Sequence, residues 1–343
     1  MSDRPNLKQL ETVLAQPLAR LFGGNGVGSI TLLNSVAPAD DPVPDAVTKW
    51  LICDARQRRV AVVLCASPVS PGLVARGMHR AREAKKALGP DLGRVILDSL
   101  QEGEILGLSY TVLPYCRPLS ERRLIRRVQC GLLRPAVLDW LRNATKLTVR
   151  EVSGTDAAEE FGKPLRHLSD HPELPDTLRS PAETAWERLK TGRWSPRHVL
   201  MHNDFWDGNI LIDHRNVTGR GGRPWRNRFV IIDWPGASVR GYAFYDLLRF
   251  ARATSWSIHR LHDEVAAHCR ILGCELADAP CHLLAALGCL EMHRERFPLP
   301  HFIRTANGCL DTLWAVCGRW DSLGPRKTDQ RAPAVAHQGL CGE

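Results

Sequence analysis

The sequence lacks any apolar run long enough to cross a bilayer. Its longest apolar stretches, such as residues 60–66, fall far short of the roughly 20 residues that a membrane-spanning helix requires. The N-terminal segment Met1-Ser-Asp-Arg4 also lacks the apolar core of a secretory signal. We therefore expect a soluble, cytoplasmic protein.

Patterns typical of zinc sites and nucleic-acid-binding modules are missing as well. None of the eleven cysteines forms a C-x2-C pair, and several, including Cys53 and Cys65, lie within apolar runs. Such cysteines are typical of buried, reduced thiols. The chain has no zinc-finger spacing, no basic-region heptad and no basic run interleaved with aromatic residues, so we expect no nucleic-acid partner.

Positive charge exceeds negative charge, and the excess is unevenly distributed along the chain. The formal net charge of the 343 residues is +9. Residues 1–130 hold 18 Lys or Arg against 12 Asp or Glu, whereas residues 237–323 hold 9 of each. A basic surface attracts nucleotides, anionic sugars or anionic lipids, although scattered arginines more often form a solvated face.

The most informative stretches are two apolar, strand-like runs that end in carboxylates. The first leads into His202-Asn-Asp204, and Asn209 follows Asp204 by five residues; the second, residues 228–238, contains Asp233 at the end of its apolar run. Alone, a His-x-Asp triplet is usually a capped turn. Together the elements supply what phosphoryl transfer needs: a carboxylate near the accepting hydroxyl, and hard oxygen ligands that hold Mg²⁺ against nucleotide phosphates.

The spacing His202-x-Asp204-x4-Asn209, followed by Asp233-Trp-Pro-Gly, resembles the catalytic and metal-binding loops of the aminoglycoside phosphotransferase and choline kinase family. This family is a branch of the protein-kinase-like fold. The similarity continues through residues 241–249, which resemble the segment that follows the metal-binding aspartate in the family. Three elements in the right order favour this interpretation over chance turns.

The resemblance implies a role for each of these residues. Asp204 and His202 belong to the catalytic loop, where Asp204 accepts the proton of the acceptor hydroxyl or orients it and His202 supports the loop. Asn209 and Asp233 are implied to be Mg²⁺ ligands. Asp246, which opens a helix, is implied to brace the catalytic loop.

The fold implied by the resemblance is α+β and two-lobed. A small antiparallel sheet forms the first lobe, and a larger, mainly helical lobe follows. The implied division is 1–115 for the nucleotide-binding lobe, 116–325 for the lobe with the catalytic loop, metal site and acceptor pocket, and 326–343 for a flexible tail.

The apolar pattern of the first lobe predicts a helix, three strands, a basic helix and two further strands. These elements are expected over residues 5–22, 30–36, 46–53, 59–66, 72–88, 94–100 and 106–113. Residues 114–120 resemble the hinge between the lobes. Backbone groups of Pro114 and Cys116 in this hinge are implied to bind adenine.

Two features depart from the family pattern. The turn over residues 38–45, where kinases of this fold close over the phosphates, carries three aspartates, and the third strand has no lysine for the α- and β-phosphates. We predict that Lys49 on the second strand takes over the phosphate-binding role, with Glu83 as its anionic neighbour. The alternative is that the opposite face of the strand is the inward one. Lys49 would then point to solvent, and Glu83 would be an ordinary surface partner of a residue three or four positions away on its helix.

The second part of the sequence is mainly helical. A helix over residues 120–145 is predicted to bury one apolar face in the core. That face consists of Leu124, Val128, Leu132, Leu133, Val137, Leu138 and Leu141.

Residues 150–181 are expected to form a connection with short helical pieces. This connection leads to a helix that starts over residues 181–189 and delivers the chain to the catalytic loop. A basic insertion over 215–228 separates the catalytic strands, and the helices of 240–320 are implied to build the acceptor pocket.

These features predict an ATP- and Mg²⁺-dependent phosphotransferase that acts on a hydroxyl of a small molecule or glycan sugar. The positive chain and the balanced 237–323 region favour a neutral or anionic acceptor over a polycation, and they allow contact with an anionic glycolipid. A local acidic pocket stays open as an alternative, and its candidate members are Glu275, Asp278, Glu291, Glu295 and Asp311.

A second function is of a different class. The missing third-strand lysine and the acidic turn also fit a pseudokinase that binds a nucleotide or a partner without turnover. The presence of Asp204, Asn209 and Asp233 together favours the enzyme.

Overall fold

The structure is a computed structural model, and it describes residues 7–23, 26–34, 47–213, 229–294 and 297–320. Several features expected from the sequence lie outside the described residues. These are the acidic turn over 38–45, the basic insertion over 215–228, Glu295 and the tail over 326–343.

The first part of the chain forms a five-stranded antiparallel sheet with two helices. Its elements are α1 (Leu7–Phe22), β1 (Ser29–Asn34), β2 (Thr48–Cys53), β3 (Arg59–Cys65), α2 (Leu73–Gly93), β4 (Gln101–Ile105) and β5 (Leu108–Pro114). The strand order is β1-β2-β3-β5-β4. Strands β2 and β3 are rich in Val, Ile, Leu and Trp, which favour a pleated surface that is covered on both sides.

One face of this sheet packs against α1. Leu10, Leu14 and Leu18 recur at helical spacing along α1 and are buried. They pack against a sheet face that includes Trp50 and Val63, both fully buried. Lys49 alternates with Trp50 along β2 and therefore lies on the opposite face of the sheet.

The second part of the chain is mainly helical. Its helices are α3 (Arg123–Thr148), α4 (Gly154–Ala157), α5 (Lys163–Asp170), α6 (Asp176–Lys190), α7 (Tyr245–Ala253), α8 (Ile258–Leu272), α9 (Ala279–Met292) and α10 (Leu299–Cys317). Its strands are β6 (Arg117–Pro118), β7 (Arg150–Glu151), β8 (Arg197–Met201), β9 (Ile210–Ile212), β10 (Phe229–Ile231) and β11 (Ser238–Tyr242). They form two small antiparallel sheets, ordered β10-β9-β6 and β11-β8-β7. The predicted α+β class, with a small antiparallel sheet followed by a larger helical part, is confirmed.

No single helix among the described residues is long and apolar enough to cross a membrane. Only α8 taken with the segment 276–292 reaches that length and composition, and this pair is bent by 91°.

Two element boundaries differ from the sequence prediction. The fourth strand is not at 94–100 but at β4, whose polar residues lie mostly exposed at the edge of the sheet. Val95 and Ile96 are instead buried in the core of the helical part, which explains their apolar character. The helix before the catalytic loop begins at Asp176, and Pro181 lies inside its first turns.

The predicted core face of α3 is wrong in its first half. Leu133, Val137, Leu138 and Leu141 are buried as expected. The other three predicted core residues are exposed, and these are Leu124, Val128 and Leu132. Apolar residues occur on two sides of this helix, so helical spacing alone combined an outward stripe with the true core side.

Helices α5 and α9 lie in close contact within the helical core. A Cβ atom added at Gly288 of α9 would lie 2.1 Å from the carbonyl oxygen of Pro164 in α5. Glycine is therefore required at this point because the backbones of the two helices approach too closely for a side chain.

This contact predicts opposite effects of two glycine substitutions. Gly288→Ala should lower the free energy of unfolding by about 1–3 kcal/mol because the methyl group forces α5 and α9 apart. Gly131→Ala in α3 is the matched control, since nothing lies within 4 Å of its added Cβ, and it should raise stability by about 0.5–1 kcal/mol. Urea denaturation of both variants tests this, and equal effects would contradict the packing described here.

Candidate active site

The two catalytic strands bring the predicted metal ligands to neighbouring positions. Strands β9 and β10 are antiparallel, with Ile210 opposite Ile231. One residue further along, the amide of Ile232 donates to the carbonyl oxygen of Asn209 at 3.0 Å. Asn209 immediately precedes β9, and Asp233 follows β10 by two residues, so both lie at the same end of this small sheet.

Asp246 holds the catalytic loop through its backbone. One carboxylate oxygen of Asp246 accepts from the amide of His202 at 2.5 Å, and the other accepts from the amide of Asn203 at 3.0 Å. Burial raises the pKa of Asp246 to about 7, although both amide bonds act to lower it. The implied brace is therefore present, and it fixes the two residues that precede Asp204.

His202 joins the catalytic loop to the segment that carries Asp233. Its Nδ1 accepts from the amide of Asp204 at 3.3 Å, and its Nε2 lies 3.0 Å from the carbonyl oxygen of Ile232. This pattern requires a neutral imidazole with its proton on Nε2. Burial lowers the pKa of His202 to about 4, which keeps the ring neutral at physiological pH. His202 is thus a supporting residue of the loop, as the resemblance implies.

Left-handed backbone conformations are concentrated in this site. Asn203, Asp233 and Phe244 have φ angles of +77°, +71° and +72°. Non-glycine residues adopt this region at a cost, and such strain persists where surrounding bonds determine the conformation. Here the amide bonds to Asp246 hold Asn203, and the left-handed turn at Asp233 follows the end of β10 at an exposed position.

The Asp204 carboxylate is half exposed and held by three neighbours. Oδ1 of Asp204 accepts from Arg249 at 2.7 Å, and Oδ2 accepts from the Asn209 amide group at 2.9 Å and from the Trp206 indole at 3.2 Å. The side chain of Asp204 remains 48% exposed. Its carboxylate is therefore fixed in orientation and still accessible to a substrate.

Sequence reasoning missed Arg249, although a signal was available. Arg249 follows Asp246 by three residues on α7, so both side chains lie on the same face of that helix. A helix whose Asp246 faces the catalytic loop must therefore present Arg249 to the same loop.

Two further residues of the loop are held in place, one by a contact distant in sequence and one by a local contact. Asp207 is buried and accepts from Arg126 of α3 at 2.6 Å. The Trp206 ring covers Gly208 so closely that an added Cβ would lie 2.3 Å from it. The Arg126 pair spans 81 residues of sequence, and no local pattern could have indicated it.

Lys49 lies directly opposite Leu64 in the β2–β3 pair. Both side chains are half-buried on the sheet face away from α1. Among the described residues Lys49 forms no ion pair, whereas Glu83 pairs with Arg80 at 3.0 Å and lies 3.6 Å from His79 on its own helix. Glu83 thus occupies the surface-partner position that the sequence left open.

The predicted hinge connects the two sheets. Pro114 ends β5 of the five-stranded sheet, and β6 of the small sheet begins after Cys116. Both Pro114 and Cys116 are buried. The amide of Tyr115 donates to the carbonyl oxygen of Val60 at 3.0 Å, which ties this connection to β3.

A cavity of about 290 Å³ lies beside Asp204. Its lining residues are Trp206, Arg249, Arg252, Ala253 and Thr305. Two of these residues, Trp206 and Arg249, also contact the Asp204 carboxylate. Among the described residues, the cavity lining contains two guanidinium groups and no carboxylate. None of the candidate acidic residues within the described part of the chain contributes to it.

Several solved structures are similar to this chain. One is a thermostable variant of an aminoglycoside phosphotransferase, at 13% identity and a TM-score of 0.49, where the alignment covers 89% of this chain and 100% of that one. Another is an aminoglycoside 2′-phosphotransferase in complex with GDP, at 14% identity, a TM-score of 0.49 and coverage of 91% and 99%. A third is the choline kinase LicA from Streptococcus pneumoniae, at 11% identity, a TM-score of 0.48 and coverage of 89% and 98%.

No protein-family model matches the sequence, and no curated protein matches it either.

The position of His202 predicts a specific pH dependence of stability. Its pKa falls from 6.5 to about 4 on folding, so the unfolded chain binds a proton more readily than the folded one. The stabilisation is therefore complete above pH 6.5 and is lost as the pH falls towards 4, by about 3 kcal/mol in total.

His202→Gln should remove this part of the pH dependence. The measurement is the free energy of unfolding in urea from pH 7 down to about 4 for both proteins. Buried His268 and His282 also have lowered pKa values and contribute equally to both curves, so the difference reports His202. Parallel curves for the variant and the wild type would contradict the neutral, buried imidazole.

Proposed function

We propose that the protein is an ATP-dependent phosphotransferase that transfers the γ-phosphate to a hydroxyl of a small molecule or glycan sugar. The observation that carries this proposal is the Asp246 brace, which places Asp204 on a fixed loop beside Asn209. Asp233 lies at the same end of the β9–β10 pair. Phosphoryl transfer depends mainly on such positioning and on electrostatic stabilisation.

The donor groups of Asn209 and Asp233 fit a magnesium ion. Carboxylate and carboxamide oxygens are the hard ligands that Mg²⁺ prefers, and Mg²⁺ sites commonly use one or two protein groups together with substrate phosphates. Asn209 and Asp233 would hold the ion, which neutralises charge on the phosphates when bound. The strained turn at Asp233 supports this role because it presents the carboxylate at the exposed end of the strand pair.

Asp204 is proposed to orient the accepting hydroxyl and to receive its proton. Its bonds to Arg249 and Asn209 fix the carboxylate without burying it. A loose transition state needs little proton removal at an early stage, so a well-positioned carboxylate is sufficient.

Lys49 is proposed to contact the nucleotide phosphates. The third strand lacks a lysine, but Lys49 is paired across the strands with Leu64 and shares its sheet face. A half-buried ammonium group without an ion pair among the described residues is costly unless an anion meets it. A phosphate would provide that anion, and backbone groups near Pro114 and Cys116 would bind the adenine.

The acceptor is proposed to be neutral or anionic. Arg249 and Arg252 both line the cavity beside Asp204, whereas its lining within the described part of the chain holds no carboxylate that would attract a polycation. One guanidinium nitrogen of Arg252 donates to the carbonyl oxygen of Thr305 at 3.0 Å, and no carboxylate among the described residues pairs with it. Arg252 therefore keeps its charge available to a ligand.

A pseudokinase remains the second candidate function. Leu64 at the position opposite Lys49 and the ion pair between Asp204 and Arg249 are the observations that favour it. A protein of this kind would bind Mg²⁺ and nucleotide but would transfer no phosphate to any acceptor.

The proposed roles predict the effect of two carboxylate substitutions. Asp204→Asn and Asp233→Asn should each lower the rate of phosphoryl transfer by more than about a hundredfold, because each removes a charge that acts on the reacting groups. The measurement is ATP-dependent phosphorylation of a panel of hydroxylated acceptors. Asp263→Asn, an exposed carboxylate on α8, is the control and should retain full activity. Full activity of Asp233→Asn would refute the metal assignment.

The charge of the cavity predicts how acceptors are selected. Arg252→Gln should raise KM for an anionic acceptor by about tenfold or more, because a charge-assisted hydrogen bond is lost, while KM for a neutral sugar should change little. Arg270→Gln, on the exposed side of α8, is the matched control. The measurement compares sugar phosphates, free sugars and aminoglycosides at low and high salt. Saturable turnover of a polycation that weakens with salt would contradict the proposal.

A further inference from the structure

The first half of α3 carries an unusual set of exposed apolar side chains. Leu124, Ile125, Val128 and Leu132 are 76%, 44%, 62% and 49% exposed. Single exposed apolar residues are common, but a contiguous group of them typically marks an interaction surface. We call these four residues the α3 stripe.

Helix geometry places the α3 stripe on one side of α3. At 100° per residue its four members fall within an arc of about 100°. The buried residues Cys130, Leu133 and Val137 lie on roughly the opposite side and pack into the core of the helical part. The helix is therefore apolar on two sides, and the outer side is not covered by any of the described residues.

Basic residues border the α3 stripe. Arg123 and Arg127 are exposed, and in the helical arrangement they lie between the stripe and the buried side. Arg122, the residue immediately before α3, is also exposed. Arginine side chains in such positions extend their charged ends away from an apolar surface while their stems lie along it. Glu121 is the only acidic residue between Leu119 and Arg134.

The contact of α3 with the loop that holds Asp204 lies on another side of the helix. Arg126 donates to Asp207 and lies over the Trp206 ring, with 6.0 Å from the guanidinium carbon to the ring centroid. At 100° per residue Arg126 falls on the same side of α3 as the buried residues Leu133 and Val137. A surface that lies against the α3 stripe would therefore leave this contact undisturbed.

We propose that the first half of α3, residues 123–132, docks on an anionic lipid surface. The apolar stripe would enter the boundary between headgroups and acyl chains, and the bordering arginines would contact anionic headgroups. This combination of an apolar face with basic borders is the pattern of helices that lie in a membrane interface.

A second copy of the chain fits the surface less well. Two α3 stripes packed together would bring arginines of both chains to the same borders, where like charges repel. An anionic lipid surface satisfies the apolar and the basic groups at once. The inference goes beyond the proposed function and does not depend on catalysis.

The test is co-sedimentation of the full chain with lipid vesicles, without nucleotide or acceptor. Vesicles of phosphatidylcholine alone are compared with vesicles that also contain phosphatidylglycerol. We expect binding to the anionic vesicles that weakens as salt is raised, because exposed charges are screened. Absence of binding to anionic vesicles at low salt would overturn the proposal.

Paired variants assign the binding to α3. The double variants Leu124→Ser/Val128→Ser and Arg123→Gln/Arg127→Gln should each weaken vesicle binding by about tenfold or more. Leu147→Ser is the control, since Leu147 lies on the same helix and is 55% exposed but lies outside the stripe. Circular dichroism and thermal unfolding of each variant confirm that the fold is retained.

Two further outcomes would also refute the proposal. Vesicle binding that survives both double variants would assign the attraction to another basic segment. A dimer in light scattering that dissociates in Leu124→Ser/Val128→Ser, with no difference in vesicle binding, would show that the α3 stripe joins two copies of the chain.

Discussion

The candidate site depends on one buried carboxylate that accepts two backbone amides. Asp246 binds the amides of His202 and Asn203, and this fixes the loop immediately before Asp204. The neutral His202 ring then connects the same loop to Ile232, the residue before Asp233. Because buried polar groups are costly without partners, these bonds determine one another, and the strained backbone at Asn203 and Asp233 follows from them.

Two groups of positive charge flank this frame. The third strand has no lysine, and Lys49 lies opposite Leu64 on the neighbouring second strand. Arg249 holds Asp204 and shares a cavity with Arg252. The proposal of nucleotide phosphates near Lys49 and an anionic acceptor near Arg252 rests on these charges, because cations attract anionic ligands.

The family resemblance, which rests on local motifs, was sufficient to predict the fold class and the residues of the loop. The order of apolar strands and the spacing between His202, Asp204 and Asn209 are encoded over short distances, and the structure brings these residues together as expected. The exact position of the fourth strand was not predictable, because β4 is a polar edge strand without an apolar pattern.

The remaining features that were not predicted depend on contacts between residues far apart in the sequence. The pair between Arg126 and Asp207 depends on how α3 packs against the catalytic loop. The outward direction of Leu124, Val128 and Leu132 depends on which side of α3 meets the core, and both sides are apolar. The surface partners of Glu83 are local, but the choice between them and Lys49 depends on how α2 lies against the sheet.

The most direct test of the proposed phosphotransferase is a crystal structure with Mg²⁺ and a non-hydrolysable ATP analogue. The account predicts a metal ion bound by Asn209 and Asp233, with the Lys49 ammonium group at the phosphates and the terminal phosphate directed towards Asp204. A nucleotide bound elsewhere, or a metal ion that contacts neither Asn209 nor Asp233, would contradict it.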